Sequence, residues 1–155
     1  MNVQAERPIV EVVAPRPYPT KQAVIEAIGE VMVGAGAVTT AYVEAMGRKE
    51  LDNATLVAPE VALPHGTADS RSAVRSNILV VVPIPDGVEW TPGKTVRLAI
   101  GFAGTGDAAH LRLMASVARV LSDTQLVERL KAGDVENVAE LFTSGGAEAP
   151  ALRTK

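Results

Sequence analysis

The chain has 155 residues, enough for one domain with a substantial core, and at 47% hydrophobic but only 3% aromatic that core must be aliphatic. A net charge of -3 argues against general nucleic-acid binding, and the absence of cysteine excludes disulfides, thiol catalysis and cysteine-ligated metal. No apolar run approaches the roughly 18 residues of a membrane span, and Glu6, Arg7 and Pro8 stand where a signal peptide needs an apolar centre, so a soluble, cytoplasmic protein is expected.

Residues 1–8 are polar and read as loose. Ile9 to Val13 predicts a short strand, ended by Pro15, Pro17 and Pro19, which cannot join a ladder. Thr20 is a natural N-cap. After it Val24, Ile28, Val31 and Met32 form a helical stripe, closed by Gly34 and Gly36. Thr39 or Thr40 opens a second helix carrying Tyr42, Val43 and Met46, finished by Asp52-Asn53.

Two short apolar runs follow, Leu56 to Ala58 and Val61 to Leu63. Ile78 to Val82 is a β-branched run, the pattern of a strand buried on both faces. Pro83, Pro85, Asp86 and Gly87 predict a turn, and Val96 to Phe102 a further strand. Gly104-Thr105-Gly106 is a tight loop, with Asp107 as the N-cap of a helix through Leu111, Met114, Val117 and Leu121. Ser122 and Gln125 have capping-box spacing and predict a new helix through Leu130, stopped at Gly133. Asp134 opens a last helix through Val138 and Phe142; Gly145-Gly146 ends it, and residues 147–155 read as a tail. The expectation is one α/β domain over residues 1–155, with strands clustered between helices.

The chain has two histidines, the side chains best suited to act as nucleophile, base or ligand near neutral pH. His65 lies in Leu63-Pro64-His65-Gly66-Thr67, at the end of a strand, where ligands bind in α/β sheets. Pro64 stiffens the approach, Gly66 opens it, and Thr67 adds a hydroxyl. His110 falls at N3 of its helix, near the positive dipole end and its free N–H groups, an environment that favours neutral imidazole and accepts anions. From these residues alone, His65 is equally open to a structural reading, and for His110 a surface or capping role is favoured.

Gly104 to Ala109 matches G-x-G-x-x-A, but a helix rather than a strand bearing an acidic residue follows, so a plain tight turn is preferred. A metal site would need Glu60, Asp69 or Asp107 as a third ligand, with no recognised spacing. Arg48, Arg71 and Arg75 are candidate phosphate partners. For Arg71 and Arg75 the solvated-turn and strand-edge reading is favoured.

Val61 to Thr67 resembles the active-site strand and loop of the mannitol/fructose class of enzyme IIA, the IIA domains of the bacterial phosphoenolpyruvate-dependent sugar phosphotransferase system. Ala41 to Met46 with Arg48 is similar to the family's preceding helix. Pro85-Asp86-Gly87-Val88 is similar to its loop after the buried strand, and Leu98 to Ala103 with His110 to its second-histidine region. The resemblance covers about residues 10–143. It implies a mixed sheet of about five strands flanked by helices. It implies that His65 is phosphorylated by the phosphocarrier HPr and passes the group to a IIB domain. His110 and Arg48 would support the phosphoryl group, with Thr67 as a hydroxyl donor and Glu60 as the acidic residue of the preceding loop. No cofactor, nucleotide or metal is implied, because the donor is an activated phosphohistidine. Gly-Thr after the histidine and the second histidine favour the mannitol members over fructose. The alternatives are a nitrogen-regulatory IIA signalling protein of the same fold, and a small-molecule or metal-binding module without phosphotransfer.

Overall fold

The structure, a computed structural model, describes residues 8–52 and 54–143. The expected loose N-terminus, apart from Pro8, and the expected Gly145-Gly146 stop and C-terminal tail lie outside the described residues. Five strands, β1 (Ile9–Val12), β2 (Leu56–Ala58), β3 (Val61–Ala62), β4 (Ile78–Thr91) and β5 (Lys94–Ala103), form one sheet in the order β1-β4-β5-β3-β2. β1 runs parallel to β4 and β3 parallel to β5, while β4–β5 and β2–β3 are antiparallel. The sheet is therefore mixed, as the resemblance implies. Five α-helices flank it: α1 (Lys21–Gly34), α2 (Thr40–Asp52), α3 (Asp107–Leu121), α4 (Thr124–Lys131) and α5 (Val138–Thr143).

Strand alternation divides the core in two. Ile78, Val80 and Val82 of β4, with Ala99 and Ala103 of β5, join Val24, Ile28 and Met32 of α1 and Tyr42 and Met46 of α2. Leu79, Val81, Leu98, Ile100 and Phe102 point the other way, against Leu113, Val117, Leu130 and Phe142 of α3, α4 and α5. Each buried Val, Leu or Ile contributes about 1.5–3 kcal/mol, and here both faces are covered. The α1 side of β5 carries small residues, which brings the helix close. A Cβ on Gly101 would lie 2.5 Å from Ile28 Cγ2.

The caps hold locally where they were expected at α1: the Thr20 side chain accepts the Ala23 N–H at 3.1 Å. Elsewhere four expectations change, the simplest being that the last helix begins at Val138 and not after Asp134. Pro83 to Gly87 is not a turn between strands, since β4 runs on to Thr91. Pro83 pairs with Leu98 and Val88 with Val96, so four residues of β4 oppose Arg97 alone; Pro85 lies in that bulge and Pro83 at its edge, still in register. The reversal comes at Thr91 to Lys94, where Gly93 has φ +80°. Asp123, not Ser122, caps α4 by accepting the Leu126 N–H; the Ser122 hydroxyl donates back to the Arg119 carbonyl. Gly106, not Asp107, is the N-cap of α3, which puts His110 one place further in than expected. Among the described residues no helix is long and apolar enough to cross a membrane.

Candidate functional site

β3 ends at Ala62 and the chain leaves the sheet through Leu63 and Pro64. Both are buried, and the exit is fixed by two backbone bonds: Leu63 N–H to Thr55 O at 2.9 Å and Phe102 N–H to Pro64 O at 3.2 Å. His65 follows, half-buried. Its Nδ1 lies 2.7 Å from the Leu63 carbonyl. A carbonyl only accepts, so Nδ1 carries the proton and the Nε2 lone pair is left free to accept a proton or attack an electrophile. Burial is the main cause that holds the His65 pKa below its ordinary value; the Leu63 hydrogen bond opposes it, and the charges of Lys49 and Arg71 reinforce it. The ring is thus neutral at physiological pH, as nucleophilic attack requires.

Three rings meet at this point. His65 stacks on Phe102 at 4.8 Å between centroids, and His110 meets His65 at 5.6 Å and Phe102 at 5.2 Å. The fully buried Phe102 is the floor on which both imidazoles rest. His110 arrives from the first turn of α3, whose close approach depends on Gly104. A Cβ there would lie 2.8 Å from the His110 backbone nitrogen. Asn77 steadies the same loop by accepting the Thr105 N–H at 2.8 Å. The pKa of His110 is also lowered, by burial first and then by Arg71 and His65.

The next residue is equally constrained. Gly66 donates its N–H to the Tyr42 hydroxyl at 2.8 Å, and that hydroxyl donates to the Phe102 carbonyl at 2.9 Å. A side chain on Gly66 would lie 2.6 Å from Ser70 Oγ and 2.7 Å from the Tyr42 ring. Burial pushes the Tyr42 phenol up to about 12, so it remains a donor throughout the neutral range. Beyond Thr67 the chain winds into a 3₁₀ turn, Ala68–Ala73, where a simple polar turn was expected.

The other expected residues fall differently. The Thr67 hydroxyl lies near His65 in sequence but donates to the Asp69 carboxylate. Glu60 sits at the far end of β3 from His65, in the turn from β2, with φ +66°. It pairs there with Arg97 and Lys131, and the Lys131 hydrogen bond is the first cause that lowers its pKa. Arg48 is exposed on α2. The α2 cation whose charge reaches both imidazoles is its neighbour Lys49. Adjacent helix positions differ by about 100° around the axis, and here Lys49 is half-buried while Arg48 is exposed. Arg71 is no solvated turn residue: its side chain is 20% exposed, pairs with Asp107, and also acts electrostatically on both histidines. Arg75 is exposed, as expected. Among the described residues no three His, Asp or Glu side chains are grouped to hold a metal.

Sequence reading missed Lys49, Tyr42 and Phe102 as site residues. Only Tyr42 left a signal, as a hydroxyl on an otherwise apolar helical stripe. Behind them Glu50 is 2% exposed and accepts from Thr55 N, Thr55 Oγ1 and Trp90 Nε1, at 3.0, 2.7 and 2.7 Å. This buried carboxylate ties the end of α2, the entry to β2 and the end of β4 into one frame beneath the site.

Residues 10–145 match the family model described as phosphoenolpyruvate-dependent sugar phosphotransferase system, EIIA 2. A mannitol-specific phosphotransferase enzyme IIA component from Staphylococcus aureus is 35% identical over 124 residues, 79% of this chain and 85% of that protein. The crystal structure of IIA mannitol from Escherichia coli superposes with a TM-score of 0.74 at 30% identity, covering 92% of this chain and 99% of that one. The same enzyme IIA, in complex with phosphorylated mannitol enzyme IIB, gives 0.76 at 29% identity over 92% and 98%. On this match the chain belongs to the EIIA 2 family of the phosphoenolpyruvate-dependent sugar phosphotransferase system.

Proposed function

We propose that this protein is the cytoplasmic IIA phosphoryl carrier of a sugar transporter, with mannitol as the sugar and fructose as the second choice. His65 accepts a phosphoryl group from phospho-HPr and hands it to the IIB domain of a membrane permease. The observation that carries this reading is the fixed His65 tautomer, with Nδ1–H on Leu63 O and His110 beside the ring. The Nε2 lone pair forms the new P–N bond as the donor's P–N bond breaks, and the electron pair of the broken bond stays on the donor imidazole. The phosphorylated ring gains positive character, which the Leu63 carbonyl faces. A ring N–H of His110 then donates to a phosphoryl oxygen, and Lys49 supplies positive charge. In this role Lys49 replaces the Arg48 expected from the resemblance. Thr67 serves the phosphoryl group only after releasing Asp69, and Glu60 serves the fold.

The test is mass spectrometry after incubation with phosphoenolpyruvate, enzyme I and HPr. The wild type gains about 80 Da on His65, and His65→Ala gains none; wild-type labelling of His65→Ala sinks the reading. Lys49→Ala slows uptake about tenfold while Arg48→Ala does not. Onward transfer to mannitol and fructose IIB domains identifies the sugar. If no sugar-specific IIB is phosphorylated while a regulatory protein is bound, the nitrogen-regulatory alternative takes its place.

A further inference from the structure

Arg71 lies in the 3₁₀ turn that follows His65, and its Nη1 donates to Oδ1 of Asp107, the first residue of α3. The pair therefore crosses from the segment that carries the nucleophile to the helix that carries His110. Its two halves are unequal. The Arg71 side chain is 20% exposed, while that of Asp107 is 88% exposed. The cation is embedded in the wall of the site and its partner stands in solvent, where a single carboxylate contact adds little. Ser70, the residue before Arg71, has its Oγ against the position of a Gly66 Cβ, so this turn lies directly on the nucleophile loop. The Arg71 charge also reaches the His65 and His110 imidazoles and the Tyr42 hydroxyl that holds Gly66.

We propose that Arg71 is a phosphoryl-binding residue held in reserve by Asp107: when Nε2 of His65 carries the phosphoryl group, the guanidinium leaves the carboxylate and donates to the phosphoryl oxygens. The inference rests on the reading of His65 as phosphoryl acceptor. A phosphoryl group presents up to two negative charges and three acceptor oxygens, against one charge on an exposed carboxylate. The planar guanidinium fork matches two of those oxygens. The released Asp107 remains at the N-terminus of α3, where the helix dipole tolerates a carboxylate. Arg71 moves no proton; it changes anionic partners. In the resting state Asp107 also offsets a cation that would otherwise stand beside two neutral imidazoles.

The test uses the full chain, phosphorylated by HPr or chemically by phosphoramidate, with three readouts. These are the equilibrium phosphoprotein fraction against phospho-HPr, the phosphohistidine half-life, and the Arg71 Nε–Hε resonance. Arg71→Gln lowers the equilibrium constant about tenfold, and Arg71→Lys recovers part of it. Asp107→Asn raises it by roughly two- to threefold, because the competing anion is gone. Arg75→Gln, which removes an exposed charge from the same segment, changes neither quantity. In the wild type the Arg71 resonance shifts on phosphorylation, a response that a purely structural clamp lacks and that needs no variant to fold. Phosphorylated wild type with an unmoved Arg71 resonance and an indifferent Arg71→Gln overturns the role of Arg71 alone. A wild-type chain that takes no phosphoryl group on His65 from either donor overturns the reading of the site itself.

Discussion

Tyr42 and Gly66 are joined by a hydrogen bond of 2.8 Å, from the Gly66 amide to the phenol, and they lie 24 residues apart. The phenol donates its own O–H to the Phe102 carbonyl. One side chain from α2 thereby sets the backbone on both sides of the site, at the residue after His65 and at the aromatic floor beneath it. Tyr42→Phe removes the hydroxyl and leaves the ring. It costs about 1–3 kcal/mol, the penalty for a buried donor that loses its acceptor. Urea unfolding should show the lower midpoint, and phosphoryl uptake should slow because the His65 loop loses its fixed position. An unchanged midpoint would mean that water replaces the phenol at no cost.

Both histidines have pKa values lowered below 6.5, mainly by burial. The unfolded chain therefore binds protons more readily than the folded one near pH 6, so stability rises with pH there. This contribution is fully present above the unfolded value near 6.5 and is lost as pH falls through the depressed folded values. The rate of phosphoryl uptake follows the neutral His65 ring. It should stay level from pH 8 to about 6.5 and decline only below that. Stopped-flow uptake and thermal unfolding across this range check both halves. A decline that begins above pH 7 contradicts the depressed value.

Glu50 is the buried anchor behind the site, and Trp90, one of its donors, is the only tryptophan of the chain. Glu50→Ala leaves the Trp90 indole N–H and the Thr55 N–H and hydroxyl without this acceptor. The expected loss is about 3–5 kcal/mol, the scale for breaking a buried charged network by removing one partner. Trp90 fluorescence should change in the folded state as well, since the indole loses its carboxylate. Glu50→Gln retains an acceptor and should recover much of the loss.

Glu60 provides the contrasting case. Its pairs with Arg97 and Lys131 are partly exposed, at the far end of β3 from His65. Glu60→Ala should cost under about 1 kcal/mol and leave phosphoryl uptake within error of the wild type. Slower uptake at unchanged stability would return Glu60 to the site.

The reasons for these outcomes differ along the chain. The α1 stripe and its Thr20 cap were legible because a helix depends on neighbours three and four residues away. The Pro83 to Gly87 turn was misread because the local prolines and glycine are accommodated by pairing with a strand that has not yet appeared in the chain. Glu60 is a candidate through the resemblance, as the acidic residue of the loop before β3, yet the extended chain from it to His65, at about 3.3 Å per residue, separates the two by the length of the strand. Arg71 was set aside because nothing beside it in the sequence distinguishes a solvated arginine from one embedded between two loops.

The amino-acid order by itself determined the alternation of helices and strands, the aliphatic core and the rigid Pro-His-Gly loop, because these rest on periodicity, propensity and backbone freedom within a few residues. It also carried enough of the His65 motif and its surroundings to point to the family. Only the tertiary structure decided what surrounds His65. Phe102 as floor, His110 as neighbour, Tyr42 as brace, Lys49 rather than Arg48 as the α2 cation, and Arg71 on Asp107 all arise where segments distant in sequence meet. Such meetings are set by strand order and helix packing, which no local pattern of residues records.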